Sequence, residues 1–157
     1  MRIYLPSTFP GLAAVLDEGE ISGPPLTAYA VTERLAGPDT ADDDEELEYE
    51  ALRGAAAASL RMLSADPSAP RRRAVLAAEA PDAVIGPPPS GSDHPAAVTL
   101  TGTVPRKRIA AVHVDAPGAE EAVAAAAAGT GPQDDALEEH ELLWYATQEL
   151  PHLLGRE

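Results

Sequence analysis

Between about Asp44 and Leu63, the residues Leu47, Ala51, Ala55, Ala58 and Met62 recur at helical spacing, and Leu52, Ala56, Leu60 and Leu63 widen the same stripe. That period belongs to an α-helix with one buried face. Most of the face is Ala, so each position offers little area and is buried only through close approach to a neighbour. The same economy runs through the chain of 157 residues, which is 45% hydrophobic but only 4% aromatic. Its core must be assembled from small side chains with a few Leu, Ile and Val clusters, which leaves no room for large cavities. The length suits one core, hence a single domain over residues 1–157. Asp43, Asp44, Glu45 and Glu46 open the long helix and Arg53 and Arg61 lie further along it, the polarity that the helix dipole favours.

The other segments are shorter. Strands are expected near residues 2–5, 27–31, 73–78, 97–101, 108–114 and 142–146, with "RIAAVHVD" the most continuous apolar run and therefore the choice for a central strand. "STFPGLAAVLDEG" predicts a helix capped by Ser7 or Thr8, with Pro10 in its first turn and Gly19 at its end. A second helix is expected from Pro117 to Gly129, and Thr32 is read as the cap of a short helical "TERLAG". In "ELLWYATQELPHLL", Pro151 forbids one helix through the whole stretch. A strand "ELLWYA", a Thr147 cap and a short terminal helix fit better. "AYAVTERL" and "LWYATQEL" share a pattern, each after a strand and a helix, which suggests two βαβ halves with right-handed crossovers. The expected fold is α/β, with α+β as the alternative: a mixed sheet of about six strands with helices packed on it. Residues 86–95, with four Pro, two Gly and two Ser, read as a mobile loop.

Charge narrows the partners. A net charge of −15 argues against nucleic acid and anionic membrane, both of which need clustered cations. A protein partner, a second copy of the chain or a small molecule remains. The absence of Cys removes disulfides, thiolate metal sites and Cys nucleophiles. No signal-peptide core and no 18-residue apolar run is present, so a soluble, cytoplasmic protein is expected. Phosphate-loop, dinucleotide-binding and nucleophile-elbow patterns are missing, and no cofactor is called for.

Four groups of residues are candidates for function. His140 and Glu141 form half of a metal-binding helical motif; at a sheet end, His140 could meet Glu48 or Asp115 as base or ligand. Trp144 and Tyr145 are adjacent on a strand and face opposite sides of the sheet. One is then core and the other a potential interface anchor, and the shortage of large residues favours Trp144 as the core member. Two basic triplets, Arg71, Arg72, Arg73 and Arg106, Lys107, Arg108, each precede a strand. On one rim they would make a local anion site; otherwise they are solubilising flanks or partners of the acidic runs. These features support a non-enzymatic acidic protein-interaction or regulatory module. The alternative is a small metal-assisted hydrolase or small-molecule binder using His140 and nearby carboxylates.

The start "MRIYLP", the segment "PLTAYAVT", the long acidic helix, the strand "PRRRAVLAAEAPDA" and the end "HELLWYATQELPHLL" together resemble an actinobacterial family of small cytoplasmic proteins of unknown function. The resemblance implies no catalytic residues. One Lys against ten Arg, with abundant Ala, Gly and Pro, agrees with a GC-rich source. "WYATQELPHLL" is also similar to the closing strand and helix of many Nudix hydrolases, but the glutamate-rich helix that holds their Mg²⁺ has no counterpart here.

Overall fold

The computed structural model describes residues 1–21, 26–32, 44–91, 94–128 and 142–155. Strand β1 (Arg2–Ser7) leads into helix α1 (Phe9–Glu18) through Thr8. Thr8 is extended, and its side-chain oxygen accepts from the Gly11 N–H at 3.3 Å, satisfying one of the helix's unpaired first-turn donors. Gly19 stops the helix at φ 75°, a left-handed conformation that costs glycine nothing. The chain continues through β2 (Glu20–Ile21), β3 (Leu26–Tyr29) and the long helix α2 (Asp44–Ala65). After it come β4 (Ala74–Glu79), β5 (Ile85–Gly86), β6 (Ala97–Leu100), β7 (Val104–Pro105) and β8 (Ile109–Asp115). Helix α3 (Glu120–Ala127), β9 (Leu142–Ala146) and the one-turn helix α4 (Leu150–Leu153) complete the described elements. The proposed helix after Thr32 and the end of the Pro117–Gly129 helix at Gly129 lie outside the described residues.

Seven strands form one sheet in the order β5-β6-β3-β1-β4-β8-β9, and β2 pairs with β7 apart from it. Every described pairing is antiparallel. The mixed sheet and the two βαβ halves expected from the repeat are therefore corrected. The reason lies after α1: Gly19 turns the chain into β2, which pairs with Val104 and Pro105 of β7, and β3 then enters the main sheet antiparallel to β1, with Tyr4 opposite Tyr29. The second supposed crossover likewise returns as β9 antiparallel to β8, with His113 opposite Trp144. The central strand is β1, and β8 is one in from the edge. β6 has three of its four residues buried.

Strand alternation divides the core between the two faces. One face carries Ile3, Leu5, Leu76, Val98, Leu100, Val112 and Val114, covered by Leu12 and Val15 of α1 and Leu150 of α4. The other carries Tyr4, Tyr29, Val75, Ala77 and Ala111, against which α2 lays Ala51, Ala55 and Ala58. The helical stripe is thus confirmed except at Met62, which is 40% exposed, while Leu63 beside it is fully buried. Ser59 takes the middle of that buried face: its hydroxyl donates to the Ser7 carbonyl at 2.7 Å and accepts from the Ala74 N–H at 3.0 Å. α2 is thereby tied to the end of β1 and the start of β4. Leu63 also meets Val123 of α3 and Ala69 in a small third cluster.

The triplet Arg71–Arg73 forms the joint between α2 and the sheet. Arg71 turns back on the helix end, its Nη1 donating to the Leu63 carbonyl at 2.8 Å and its Nε to the Ala69 carbonyl at 3.0 Å, which satisfies acceptors that a helix C-terminus leaves open. Arg72 donates through Nε and Nη2 to the Asp115 carbonyl at 3.0 and 2.8 Å, and its guanidinium lies 4.9 Å from the centre of the Phe9 ring. Arg73 grips the fully buried Asp115 carboxylate in a two-point fork of 2.9 and 2.7 Å, and its own N–H adds a third bond at 2.8 Å.

At the other end of the chain, the Thr147 cap is corrected. Its hydroxyl donates to the Ile109 carbonyl at 2.7 Å, joining the end of β9 to the start of β8. The turn Thr147–Glu149 is closed instead by Glu149, whose carboxylate accepts from the Ala146 N–H at 2.8 Å.

Two outcomes follow for denaturant unfolding. Asp115→Ala removes the carboxylate that a buried guanidinium grips and should cost about 3–5 kcal/mol, read as a lower midpoint at unchanged slope. A loss below about 1 kcal/mol would show that the pair is not buried as described. Thr147→Ala should cost about 1 kcal/mol through its lost bond to β8, whereas Gln148→Ala, exposed and without that bond, should be neutral.

Candidate functional site

The seven-stranded sheet has two ends, and they differ in kind. At one, β5 is only two residues long and runs into Pro87, Pro88 and Pro89. Short length and proline both stop a further strand from pairing. At the other end, β9 presents Leu142, Leu143, Trp144, Tyr145 and Ala146 with no charge, proline or register shift in its pairing to β8. Among the described residues no strand covers its outer side.

The side chains of β9 alternate. Tyr145 is half-buried against the α1 face of the core. Trp144, expected in the core, stands on the other face and is 63% exposed, and Leu143 is 43% exposed. The correction has a geometric cause: α2 packs across β1, β3 and β4, so the outermost strand lies beyond the helix that would have covered Trp144. Below it, His113 is half-buried and 6.4 Å from the Tyr4 ring, centre to centre.

The remaining candidates fare differently. His140 and Glu141 lie outside the described residues. Asp115, one of the carboxylates considered for His140, is held by Arg73. Among the described residues no three His, Asp or Glu side chains converge as a metal site would need. The two basic triplets sit at opposite ends of the sheet, because β4 and β8 are antiparallel and pair Ala74 with Val114 but Ala78 with Ile109. One rim therefore cannot hold both. Arg71–Arg73 are engaged within the fold as described above, whereas Lys107 and Arg108 are exposed in the turn before β8.

A second polar constellation escaped the sequence reading. Tyr29 of β3, Arg61 of α2 and His94 before β6 border a cleft of about 460 Å³. Arg61 Nη2 donates to the Tyr29 hydroxyl at 3.3 Å, and the Tyr29 and His94 rings meet edge-to-face at 5.3 Å. Gly54 allows this approach: a Cβ there would fall 2.8 Å from His94 Nε2 and 2.9 Å from Tyr29 Cδ1. The available signal was Gly54 itself, since glycine inside a helix costs about 1 kcal/mol against alanine and needs a packing reason.

Burial holds both described strand-associated histidines below the usual range. His113 is lowered by desolvation and secondarily by Arg2; His94 is lowered by desolvation, with Arg61 adding to the effect and Glu50 opposing it. The folded chain therefore takes up these protons less readily than the unfolded chain, whose histidines titrate near about pH 6.5. Stability from this source is lost as pH falls below that value. His113→Gln should lose less midpoint than the parent between about pH 7.5 and about pH 5.5; an identical loss in both proteins would remove His113 from the acid response.

No curated protein and no solved structure matches the chain at a significant level. Residues 1–154 match the family described as Family of unknown function (DUF6912), and the chain belongs to that family.

Proposed function

We propose that the chain is a non-enzymatic protein-interaction module that takes up an extended polypeptide segment of net positive charge along β9. The observation that carries this reading is the uncharged edge of β9, which no described strand covers, with Trp144 63% exposed on one face and Leu143 43% exposed on the other. A strand added there gains main-chain hydrogen bonds from the edge and side-chain contacts from both faces, with the aromatic as anchor. The net charge of −15 favours a cationic segment through long-range steering and opposes a second copy. A cytoplasmic, actinobacterial setting belongs to the same proposal, supported by the Arg-over-Lys bias and by the finding that no described helix is long and apolar enough to cross a membrane.

Trp144 is the only Trp, so its fluorescence reports on the edge directly. Titration with a short synthetic peptide of alternating Lys and Val should give a saturable blue shift and slow amide exchange across Leu142–Ala146. Added salt should weaken both. Trp144→Ala, followed by amide exchange, should weaken binding by about ten-fold or more, as loss of a central aromatic does. The same peptide with alternate amides N-methylated should not bind; equal binding would sink the strand-addition reading. A dimer in sedimentation with β9 protected before any peptide is added would reassign the edge to a second copy.

A further inference from the structure

We infer that the cleft bordered by α2, Tyr29, His94 and the Pro89–Gly91 segment binds a small organic anion through a carboxylate or phosphate group held by Arg61, Tyr29 and His94. This site is separate from β9 and does not rest on the reading of that edge.

The inference starts from donors. Arg61 donates one N–H to the Tyr29 hydroxyl, and among the described residues no carboxylate pairs with its guanidinium. The Tyr29 oxygen is the acceptor in that bond, so its own hydrogen remains to be donated. His94 Nδ1 accepts from the Ala96 N–H at 3.0 Å, which places the neutral ring's proton on Nε2. Nothing among the described residues accepts from Nε2, and no buried side-chain nitrogen or oxygen there lacks a partner, so this N–H faces solvent-accessible space. Three donors thus border one cleft without a matching acceptor.

Charge points the same way. The chain carries 26 acidic residues, yet none of the described residues lining the cleft is acidic. A guanidinium that no described carboxylate pairs on so acidic a molecule, with a tyrosine hydroxyl and an imidazole N–H beside it, is the donor set that a planar carboxylate or a phosphate fits. The volume of about 460 Å³ exceeds what an inorganic ion fills and lies in the range of small-molecule sites. Gly54 and Ala57 supply the floor, and Thr27 and Ser90 add hydroxyls for the body of the ligand.

The test follows the Arg61 Nε–H and His94 ring signals by NMR during titration with sodium phosphate, sodium acetate and, at equal ionic strength, sodium chloride. Saturable shifts at Arg61 and His94, with Arg53 and Arg106 unmoved, are expected with at least one oxyanion. Response to phosphate alone assigns phosphate esters, and response to acetate alone assigns carboxylic acids; response to both assigns an oxyanion site open to either. Arg61→Gln should weaken binding by about ten-fold or more and Arg61→Lys by less, because lysine keeps the charge and loses the fork. Gly54→Ala should close the cleft; should that variant fail to fold, Arg61→Gln, altered at an exposed side chain, carries the test alone. No saturable shift with either oxyanion, the same shift with chloride, or unchanged binding in Arg61→Gln overturns the inference.

Discussion

The fold depends on one fully buried carboxylate. Asp115 ends β8, and its side chain accepts three donors from Arg73, while its main chain exchanges a further N–H bond with the Arg73 carbonyl at 3.2 Å and receives Arg72 on its own carbonyl. A charge buried this deeply is tolerated only when its lone pairs are filled, and here Arg73 fills them while Arg72 occupies the main-chain carbonyl beside them. That requirement fixes where β4 begins relative to β8. With the register set, Leu76 faces the α1 side and Val75 the α2 side, and a slip by one residue would exchange them. Arg71, next in line, reaches back to the end of α2. One run of three guanidiniums thus sets strand register and holds the helix end.

Small residues then decide how closely the layers meet. Ala51, Ala55 and Ala58 let α2 lie against Tyr4, Tyr29 and Val75, and Ser59 is small enough to sit between the helix and two strands while satisfying one acceptor and one donor. Replacing it with alanine would leave a buried carbonyl and a buried N–H without partners, a larger penalty than the loss of one exposed hydrogen bond. The helix is held down by geometry and hydrogen bonding more than by apolar area. Gly54 belongs to the same logic, trading helix propensity for contact with His94 and Tyr29.

Local features were legible in the sequence because local chemistry determines them. The Thr8 cap, the Gly19 stop, the span of α2 to within a turn and the existence of β9 all follow from residues within a few positions of one another. Strand direction does not. "AYAVTERL" and "LWYATQEL" are alike, but likeness says nothing about which strand each will pair with, and both enter the sheet antiparallel to their predecessors. Thr147 failed as a cap for a related reason: its hydroxyl prefers a carbonyl on β8 that is 38 residues away in sequence. The triplet Arg71–Arg73 was visible as charge, and its role was not, since the acceptors come from α2 and β8. Of the Tyr29, Arg61 and His94 cleft only Gly54 left a local trace, because its members are drawn from a strand, a helix and a loop that only the fold brings together.

The two sheet edges are finished differently. β5 is blunted by length and by three prolines, as an edge is when pairing must be prevented. β9 receives no such treatment, yet it is held firmly: Thr147 fastens its end to β8, and Glu149 takes up the last amide. An edge fixed in extended form loses little conformational entropy when another strand is added. The placement of Trp144 makes the same point from the side of composition. A chain with one Trp and one Phe has few large side chains with which to fill a core, and burying this one would have added more apolar area than any single alanine of α2 can. It stands outside the reach of that helix, on an edge that no described strand covers. The stability forgone there is what the proposed strand-binding edge would give up.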